Sequence, residues 1–417
     1  MRESCQNYKD IYITTRYIKP MNVRIQHYEE GTPSPAHRSG PRPLGLYYAL
    51  MQPLMTQTIQ SPLFTAETKK TLEEAPLSHF LKGVKRYHNA PWFREETAPE
   101  IVWQKGRVKV FHYPHTHTYK STILLIPSMI NKSYIYNLAP GHSLIEHLCN
   151  DGYSVQLMDW SEPTSTPTPE PSPKPTEAES ISVESSITDY ILPYLNSLKE
   201  PVHLGGYCMG GLLALAAAQL SGAQQTPSKV KSLSLFATPW DFSKTEAHSQ
   251  MVKARMAYEM MVKALPIIPV DILQTQFVML APMATINRFC HYYDTADENS
   301  LKLMTLMEDW LADGVPVEQS VAHTVAINWF IKNVTVNKQW RVNGEIIHPE
   351  NITCPTFIAM PEKDMLVPPA SCATLAETQS GGHIHKVKTG HIGLMVGRKC
   401  HETFFKPYSA WLDHLTD

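Results

Sequence analysis

Short apolar runs alternate with helical patterns along the chain from residue 107 onward. Seven runs have the length of β-strands: RVKVFHY, STILLIP, YSVQLMDW, VHLGG, KSLSLFATP, PTFIAMP and HIHKVKTG. Apolar residues at helical spacing separate most of them, and a closing helix is centred on FFKPYSAWL. Because strands that alternate with helices form βαβ units, the pattern predicts an α/β fold: a mostly parallel sheet with helices on both faces.

The remaining segments predict a division of the chain into regions. Residues 1–43 are polar and predict a flexible leader. Residues 44–104 predict an N-terminal helical region, with two or three helices before residue 90. The catalytic domain is expected over 105–417. Its long helical stretch at about 240–340 interrupts the series of strands, which predicts an inserted helical cap.

A proline-rich segment lies between the run YSVQLMDW and the next helix. Residues 161–180, SEPTSTPTPEPSPKPTEAES, contain six prolines among Ser, Thr and Glu. This composition cannot bury a core, so it predicts an extended, exposed insertion in a loop. A docking peptide for a partner is the alternative interpretation.

Composition narrows the class of protein. With 18% charged residues and a net charge of −2, the 417-residue chain has no basic footprint for nucleic acid or for a membrane surface. Seven cysteines occur without CxxC pairs, which is typical of reduced thiols. The N-terminal residues lack the apolar region of a signal peptide, and no apolar run has transmembrane length. We therefore expect a soluble cytoplasmic protein.

A cysteine occupies the centre of a glycine-rich turn in the stretch VHLGGYCMGGLLALAAAQL. A strand, the turn Gly206-Tyr207-Cys208-Met209-Gly210-Gly211 and a helix follow one another, as in the nucleophile elbow of α/β-hydrolases. Glycines let strand and helix approach closely, and the helix N-terminus places its positive dipole end near the sulfur. A phosphate-binding loop does not fit, because the spacing is neither GxxxxGK[ST] nor GxGxxG. The turn predicts Cys208 as a nucleophile; a small buried structural cysteine is the alternative.

A base and an orienting acid are expected later in the chain, in the order nucleophile, acid, histidine. Asp364 follows the strand PTFIAMP, with Glu362 as a nearby competitor for the acid. His391 follows the last strand and a glycine. His383 and His385 are interpreted as strand residues and not as metal ligands. The order predicts a Cys208-His391-Asp364 triad.

The sequence resembles the polyhydroxyalkanoate synthase family and the synthase-like α/β-hydrolases around it. The resemblance rests on LLIPSMINKSYIYNLAPGHSLIEHLCNDGYSVQLMDW, GGYCMGGLLALA, LSLFATPWDF, EDWLADGVPV, DMLVPP and GHIGLMVG. It implies the α/β-hydrolase fold and places the family's nucleophile, acid and base on Cys208, Asp364 and His391. It also implies an oxyanion hole formed by backbone N–H groups of Met209 and of the loop residues Met129 and Ile130.

The resemblance implies an acyltransferase that moves 3-hydroxyacyl groups from a CoA thioester into polyester, with no metal or redox cofactor. The expected partners are 3-hydroxyacyl-CoA and the polyester chain; self-association and binding to storage granules in the cytoplasm are left open. Met365 follows the aspartate where the family usually has histidine, and the cap has Trp310-Leu311-Ala312-Asp313 in place of Trp-Asn-x-Asp. A thioesterase, esterase or depolymerase with the same triad is the alternative, and a non-catalytic granule coat protein is the third.

Overall fold

The computed structural model describes residues 22–27, 38–47, 49–50, 78–97, 99–160, 180–224, 228–378 and 382–415. These residues belong to two compact units. The larger unit comprises 99–270 and 315–417, and the smaller unit combines residues up to 98 with 271–314.

An eight-stranded sheet is the main element of the larger unit. Its strands are β1 (Glu100–Lys105), β2 (Val108–Tyr113), β3 (Ser121–Ile126), β4 (Tyr153–Asp159), β5 (Val202–Tyr207), β6 (Val230–Phe236), β7 (Thr356–Pro361) and β8 (His383–Val387). Their spatial order is β8-β7-β6-β5-β3-β4-β2-β1. Strand β2 runs antiparallel to both of its neighbours, whereas β3 to β8 are parallel. The predicted mostly parallel sheet is therefore present.

The central strands are buried on both faces. Every residue of β5 and of β7 is buried, as expected for parallel strands covered by helices on each side. The register pairs Tyr207 with Phe236 and Phe236 with Ala359, so β5, β6 and β7 end along the same edge. In open α/β sheets, the loops that follow these carboxyl ends carry the functional residues.

Helices cover this sheet. The helix Met209–Gln224, called here the elbow helix, packs against β5 and β6. The other α- and π-helical segments of the larger unit are Leu144–Asn150, Val183–Ser185, Ser186–Ile191, Leu192–Ser197, Glu246–Lys253, Arg255–Ala264, Gln319–Ala322, His323–Ile331, Pro369–Thr378, His391–Val396, His401–Phe405 and Lys406–Asp413. Among the helices of the described ranges, none combines the length and the hydropathy needed to cross a bilayer.

The smaller unit is mainly helical. Its helices are Val270–Leu280, Pro282–Asp294, Glu298–Ala312 and a helix over 78–88. Strand Asn22–His27 pairs antiparallel with Trp92–Thr97. An aromatic cluster forms the core of the unit: Tyr47, Phe80, Tyr87, Phe289 and Tyr292. Edge-to-face ring pairs within this cluster give it a fixed arrangement.

The seven predicted strands are all present, but strand β1 was not predicted. It lies at the edge of the sheet, and five of its six residues are exposed, so its sequence has no buried face to produce an apolar alternation. Within the predicted leader, Asn22–His27 forms a strand and Arg38 is buried. The proline-rich insertion, apart from Ser180, lies outside the described residues. The predicted domain boundaries and the cap remain predictions.

Candidate active site

Cys208 lies at a strained turn between β5 and the elbow helix. Its φ angle is +55°, a left-handed conformation that non-glycine residues rarely adopt and that costs about 1–3 kcal/mol. Two backbone hydrogen bonds hold the turn: the Cys208 N–H donates to the Phe236 carbonyl (2.8 Å), and the Gly211 N–H donates to the Cys208 carbonyl (3.0 Å). The surrounding structure thus fixes a strained backbone with a partly exposed thiol at its tip.

The glycines around Cys208 are required because backbone or side-chain atoms approach them closely. A Cβ atom on Gly206 would lie 2.3 Å from the carbonyl oxygen of Gly210. A Cβ on Gly210 would lie 2.1 Å from the carbonyl oxygen of Ile126 at the end of β3. A Cβ on Gly211 would lie 1.9 Å from Thr238 Oγ1. All three positions exclude a side chain, which explains the spacing Gly-x-Cys-x-Gly-Gly.

Asp364 is held rigidly in the loop after β7. Its side chain is fully buried, and Oδ1 accepts hydrogen bonds from the N–H groups of Leu366 (2.9 Å) and Val367 (2.8 Å). The other carboxylate oxygen, Oδ2, lies 2.6 Å from Nδ1 of His391. Glu362, the competitor, is exposed. Asp364, and not Glu362, therefore contacts the histidine.

His391 begins the helix His391–Val396 and contacts both other residues of the predicted triad. Besides the contact with Asp364, its side chain hydrogen-bonds to Cys208. Burial alone lowers the pKa of His391, but the charges of Asp364 and Cys208 and hydrogen bonds to both raise it to about 10. A histidine with this pKa holds a proton at neutral pH. The structure thus brings the three side chains together in one hydrogen-bonded array.

Four other cysteines lie in surroundings that suppress ionisation. Burial raises the pKa of Cys149 to about 12, and burial raises the pKa of Cys354 and Cys400 to about 11. Cys372 is fully buried near Cys208, and its Sγ–H donates to the Thr238 carbonyl (3.0 Å). Burial also raises the pKa of Cys372. A thiolate is the reactive form of cysteine, so these four positions are unsuited to nucleophilic attack.

The backbone groups expected to bind an oxyanion lie on two sides of the turn. Met209 is the first residue of the elbow helix, where the N–H lies outside the helical hydrogen-bond ladder. In the loop after β3, Met129 is buried, and the Ile130 N–H donates to Ser128 Oγ (3.2 Å). The Ile130 carbonyl accepts a bond from Val315 (2.8 Å), which fixes the loop. The oxyanion role of these three residues stays a prediction.

His383 and His385 lie on β8, away from this array. Both rings stack on Phe357, at centroid distances of 5.3 and 5.7 Å. Throughout the described ranges, no three or more His, Cys, Asp or Glu side chains gather in a way that could hold a metal ion.

Two contacts near the array were not predicted from the sequence. Tyr207, the residue before Cys208, packs its ring against the ring of His391 at a centroid distance of 4.9 Å. Cys372 packs with Met360 and Val367 in a small apolar cluster that Cys208 adjoins. Only the position of Tyr207 inside the glycine-rich turn could have drawn attention to it.

Comparisons with known proteins agree with the α/β architecture. Residues 122–261 match a family model described as alpha/beta hydrolase fold. A poly(3-hydroxyalkanoate) polymerase subunit of Synechocystis is 25% identical over 343 residues, covering 76% of this chain and 84% of the relative. The corresponding subunit of Allochromatium vinosum is 24% identical over 367 residues, covering 84% and 99%.

A third relative is longer than this chain. The poly(3-hydroxyalkanoate) polymerase subunit of Haloferax mediterranei is 24% identical over 333 residues, and the match spans 76% of this chain but 64% of the relative. Together with the sheet topology, these matches establish the α/β-hydrolase fold and confirm the resemblance to the polyhydroxyalkanoate synthases.

Proposed function

We propose that this protein is an acyltransferase that transfers 3-hydroxyacyl groups from CoA thioesters into polyhydroxyalkanoate, with Cys208 as nucleophile. The proposal rests on the strained cysteine at the elbow and its two partners. His391 is hydrogen-bonded to Cys208, and Asp364 Oδ2 lies 2.6 Å from His391 Nδ1. The similarity to polymerase subunits supports the substrate class.

The acylation step follows from the array. His391 holds the proton of the Cys208 thiol, and the sulfur attacks the carbonyl carbon of the hydroxyacyl thioester. The tetrahedral oxyanion receives hydrogen bonds from backbone N–H groups, each worth about 3–4 kcal/mol of transition-state stabilisation. When the intermediate collapses, the bond to the CoA sulfur breaks and His391 returns its proton to that sulfur. CoA leaves, and the acyl group stays on Cys208.

The second step uses the same residues on a hydroxyl. The S-acyl enzyme is itself a thioester, so it remains reactive toward an alcohol. His391 removes the proton from the 3-hydroxyl of another hydroxyacyl unit, the oxygen attacks the carbonyl carbon, and the Cys208 sulfur departs while that proton stays on His391. An ester bond forms, and Cys208 and His391 return to their starting state.

A hydrolase with the same array is the second candidate. Met365, directly after the acid, is 66% exposed and stands where the synthases usually have histidine. If water reaches the S-acyl enzyme before a hydroxyl does, the product is a free hydroxy acid. The two functions differ only in the acceptor, so the products distinguish them.

The test follows the acyl group of labelled 3-hydroxybutyryl-CoA. We expect most label in chloroform-soluble polymer after a lag, whereas label in soluble acid from the first turnover would identify a hydrolase. Cys208→Ala should abolish CoA release. Cys372→Ser, which keeps a donor for the Thr238 carbonyl, is the matched control and should retain most activity. Full turnover by Cys208→Ala would overturn the proposal, and absent alkylation of the Cys208 thiol by iodoacetamide would favour the granule coat protein.

A further inference from the structure

Tyr207 joins the candidate nucleophile to the candidate base. It is the last residue of β5, immediately before Cys208, and it is 3% exposed. Its hydroxyl donates a hydrogen bond to the backbone carbonyl of His391 (3.2 Å). Its ring lies against the imidazole with a centroid distance of 4.9 Å and an angle of 31° between the ring planes. One side chain thus contacts both the backbone and the ring of the histidine.

Tyr207 is itself held from the other side. The ring of Tyr136 meets it edge to face, with centroids 6.4 Å apart and an interplanar angle of 75°. The Tyr136 hydroxyl donates to the carbonyl of Ile126 at the end of β3 (3.1 Å). Tyr136 is fully buried, so this support has little freedom to move. The two tyrosines form a bridge from the end of β3 to His391.

We propose that Tyr207 is a positioning residue for His391, with separate tasks for its hydroxyl and its ring. The hydroxyl fixes the backbone at the start of the helix His391–Val396. The ring limits rotation of the imidazole and presents a π face to its protonated form. The proposal rests on the proposed role of His391 as the base.

The position of Tyr207 in the chain gives the bridge a mechanical consequence. Because Tyr207 is bonded covalently to Cys208, the group that orients the base moves with the nucleophile. Asp364 orients the imidazole through Nδ1 from the loop after β7. The histidine is therefore held by residues at the ends of two different strands, and an error in placing it by about 1 Å costs about a hundredfold in rate.

Two substitutions separate the tasks. Tyr207→Phe removes the hydroxyl and keeps the ring, whereas Tyr207→Leu removes both. Tyr153→Phe is the matched control: Tyr153 is a fully buried tyrosine of the same sheet whose hydroxyl bonds to Asp413, and it begins β4 at the opposite sheet edge. Each protein is assayed for CoA release. The rate of Cys208 alkylation by iodoacetamide is followed by mass spectrometry from about pH 5 to about pH 11, a range that includes the histidine titration.

For Tyr207→Phe we expect kcat to fall about five- to tenfold with KM nearly unchanged, as one positioning hydrogen bond is lost. For Tyr207→Leu we expect a loss of about a hundredfold. The high-pH limb of the alkylation profile, where His391 gives up its proton, should move to lower pH in Tyr207→Leu alone, because only that variant loses the ring. Tyr153→Phe should match the parent protein in all of these.

The proposal is overturned if the alkylation profile of Tyr207→Leu overlaps that of the parent, or if Tyr207→Phe loses no more kcat than Tyr153→Phe. Loss of activity in proportion to loss of folded protein would also overturn it, since that is the result of a purely structural role. Alkylation needs no acyl-CoA, so this profile decides the role of Tyr207 even if the parent protein turns over no hydroxyacyl-CoA.

Discussion

His391 keeps its proton at neutral pH because the interactions with Asp364 and Cys208 outweigh its burial. Desolvation lowers the pKa of a buried histidine, yet Asp364 and Cys208 raise that of His391 to about 10. Unfolded histidine has a pKa of about 6.5. Since the folded value is higher, the stabilisation is fully present below pH 6.5 and is lost as the pH rises through about 10.

The substitution Asp364→Asn should therefore reduce this stabilisation by an amount that depends on pH. The variant lacks the charge that faces Nδ1, so its melting temperature should fall below that of the parent at about pH 6. The difference should shrink toward about pH 10.5, where the histidine loses its proton. Thermal unfolding across that range measures the difference. Glu362→Gln removes an exposed carboxylate from the same loop and should show none of this trend. A difference between parent and Asp364→Asn that stays constant with pH would contradict the assignment.

The three residues of the array could be predicted individually from the sequence, but their contacts could not. Cys208 was recognisable from its glycines, and Asp364 and His391 from their order after the strands. The preference for Asp364 over Glu362 depends on the loop that directs one carboxylate inward and the other outward. That difference arises from two backbone N–H groups, which leave no pattern in the sequence.

At the scale of elements, the contact between β3 and the elbow helix determines the geometry of the site. Gly210 lies where the helix meets the last carbonyl of β3, and the atom that blocks a side chain there is backbone. Backbone cannot rotate away as a flexible side chain can, so any Cβ must push the helix and strand apart. The same movement would displace Met209, whose N–H is a predicted oxyanion donor.

Gly210→Ala should consequently destabilise the protein by several kcal/mol and abolish CoA release. Gly222→Ala, near the other end of the same helix, is its matched control. Among the residues that the structure describes, the only atom within 4 Å of a Cβ at Gly222 is Thr353 Oγ1, at 3.9 Å, so alanine fits there. It should be neutral or stabilise by up to about 1 kcal/mol through helix propensity. Urea unfolding of both variants gives the comparison, and equal stability of the two would contradict the packing argument.

At the scale of the whole chain, the smaller unit shows where sequence patterns stop being informative. Two distant stretches, one before residue 98 and the other 271–314, build one compact unit. The sequence gives strong signals for local strands and helices but none for which distant segments share a core. The predicted leader was polar, and the residue that ties it to this unit, Arg38, is a charged one.

Arg38 makes polar contacts with other residues of the smaller unit. Its side chain is 2% exposed; it pairs with Asp309 (3.0 Å) and donates to the carbonyls of Ala90 and Trp92. Tyr87 donates to the same carboxylate (2.7 Å). Burial raises the pKa of Asp309 to about 6, even with the guanidinium opposing that rise. Asp309 is thus a partly buried carboxylate whose counterion, Arg38, comes from the polar leader.

Removing the Arg38 guanidinium should destabilise the protein by an amount that depends on pH. Arg38→Met keeps an apolar stem but leaves Asp309 and two carbonyls without their donor, and we expect a loss of about 3–5 kcal/mol at pH 8. Near pH 5, below the pKa of about 6, Asp309 takes up a proton, so the loss should be smaller.

Arg255→Met breaks the exposed pair with Glu259 and should change stability little at either pH. Urea unfolding followed by tryptophan fluorescence measures all three proteins. An Arg38→Met protein as stable as the parent at pH 8 would show that the segment carrying Arg38 adds nothing to the unit, whereas a loss that shrinks on acidification identifies Asp309 as the charge that Arg38 neutralises.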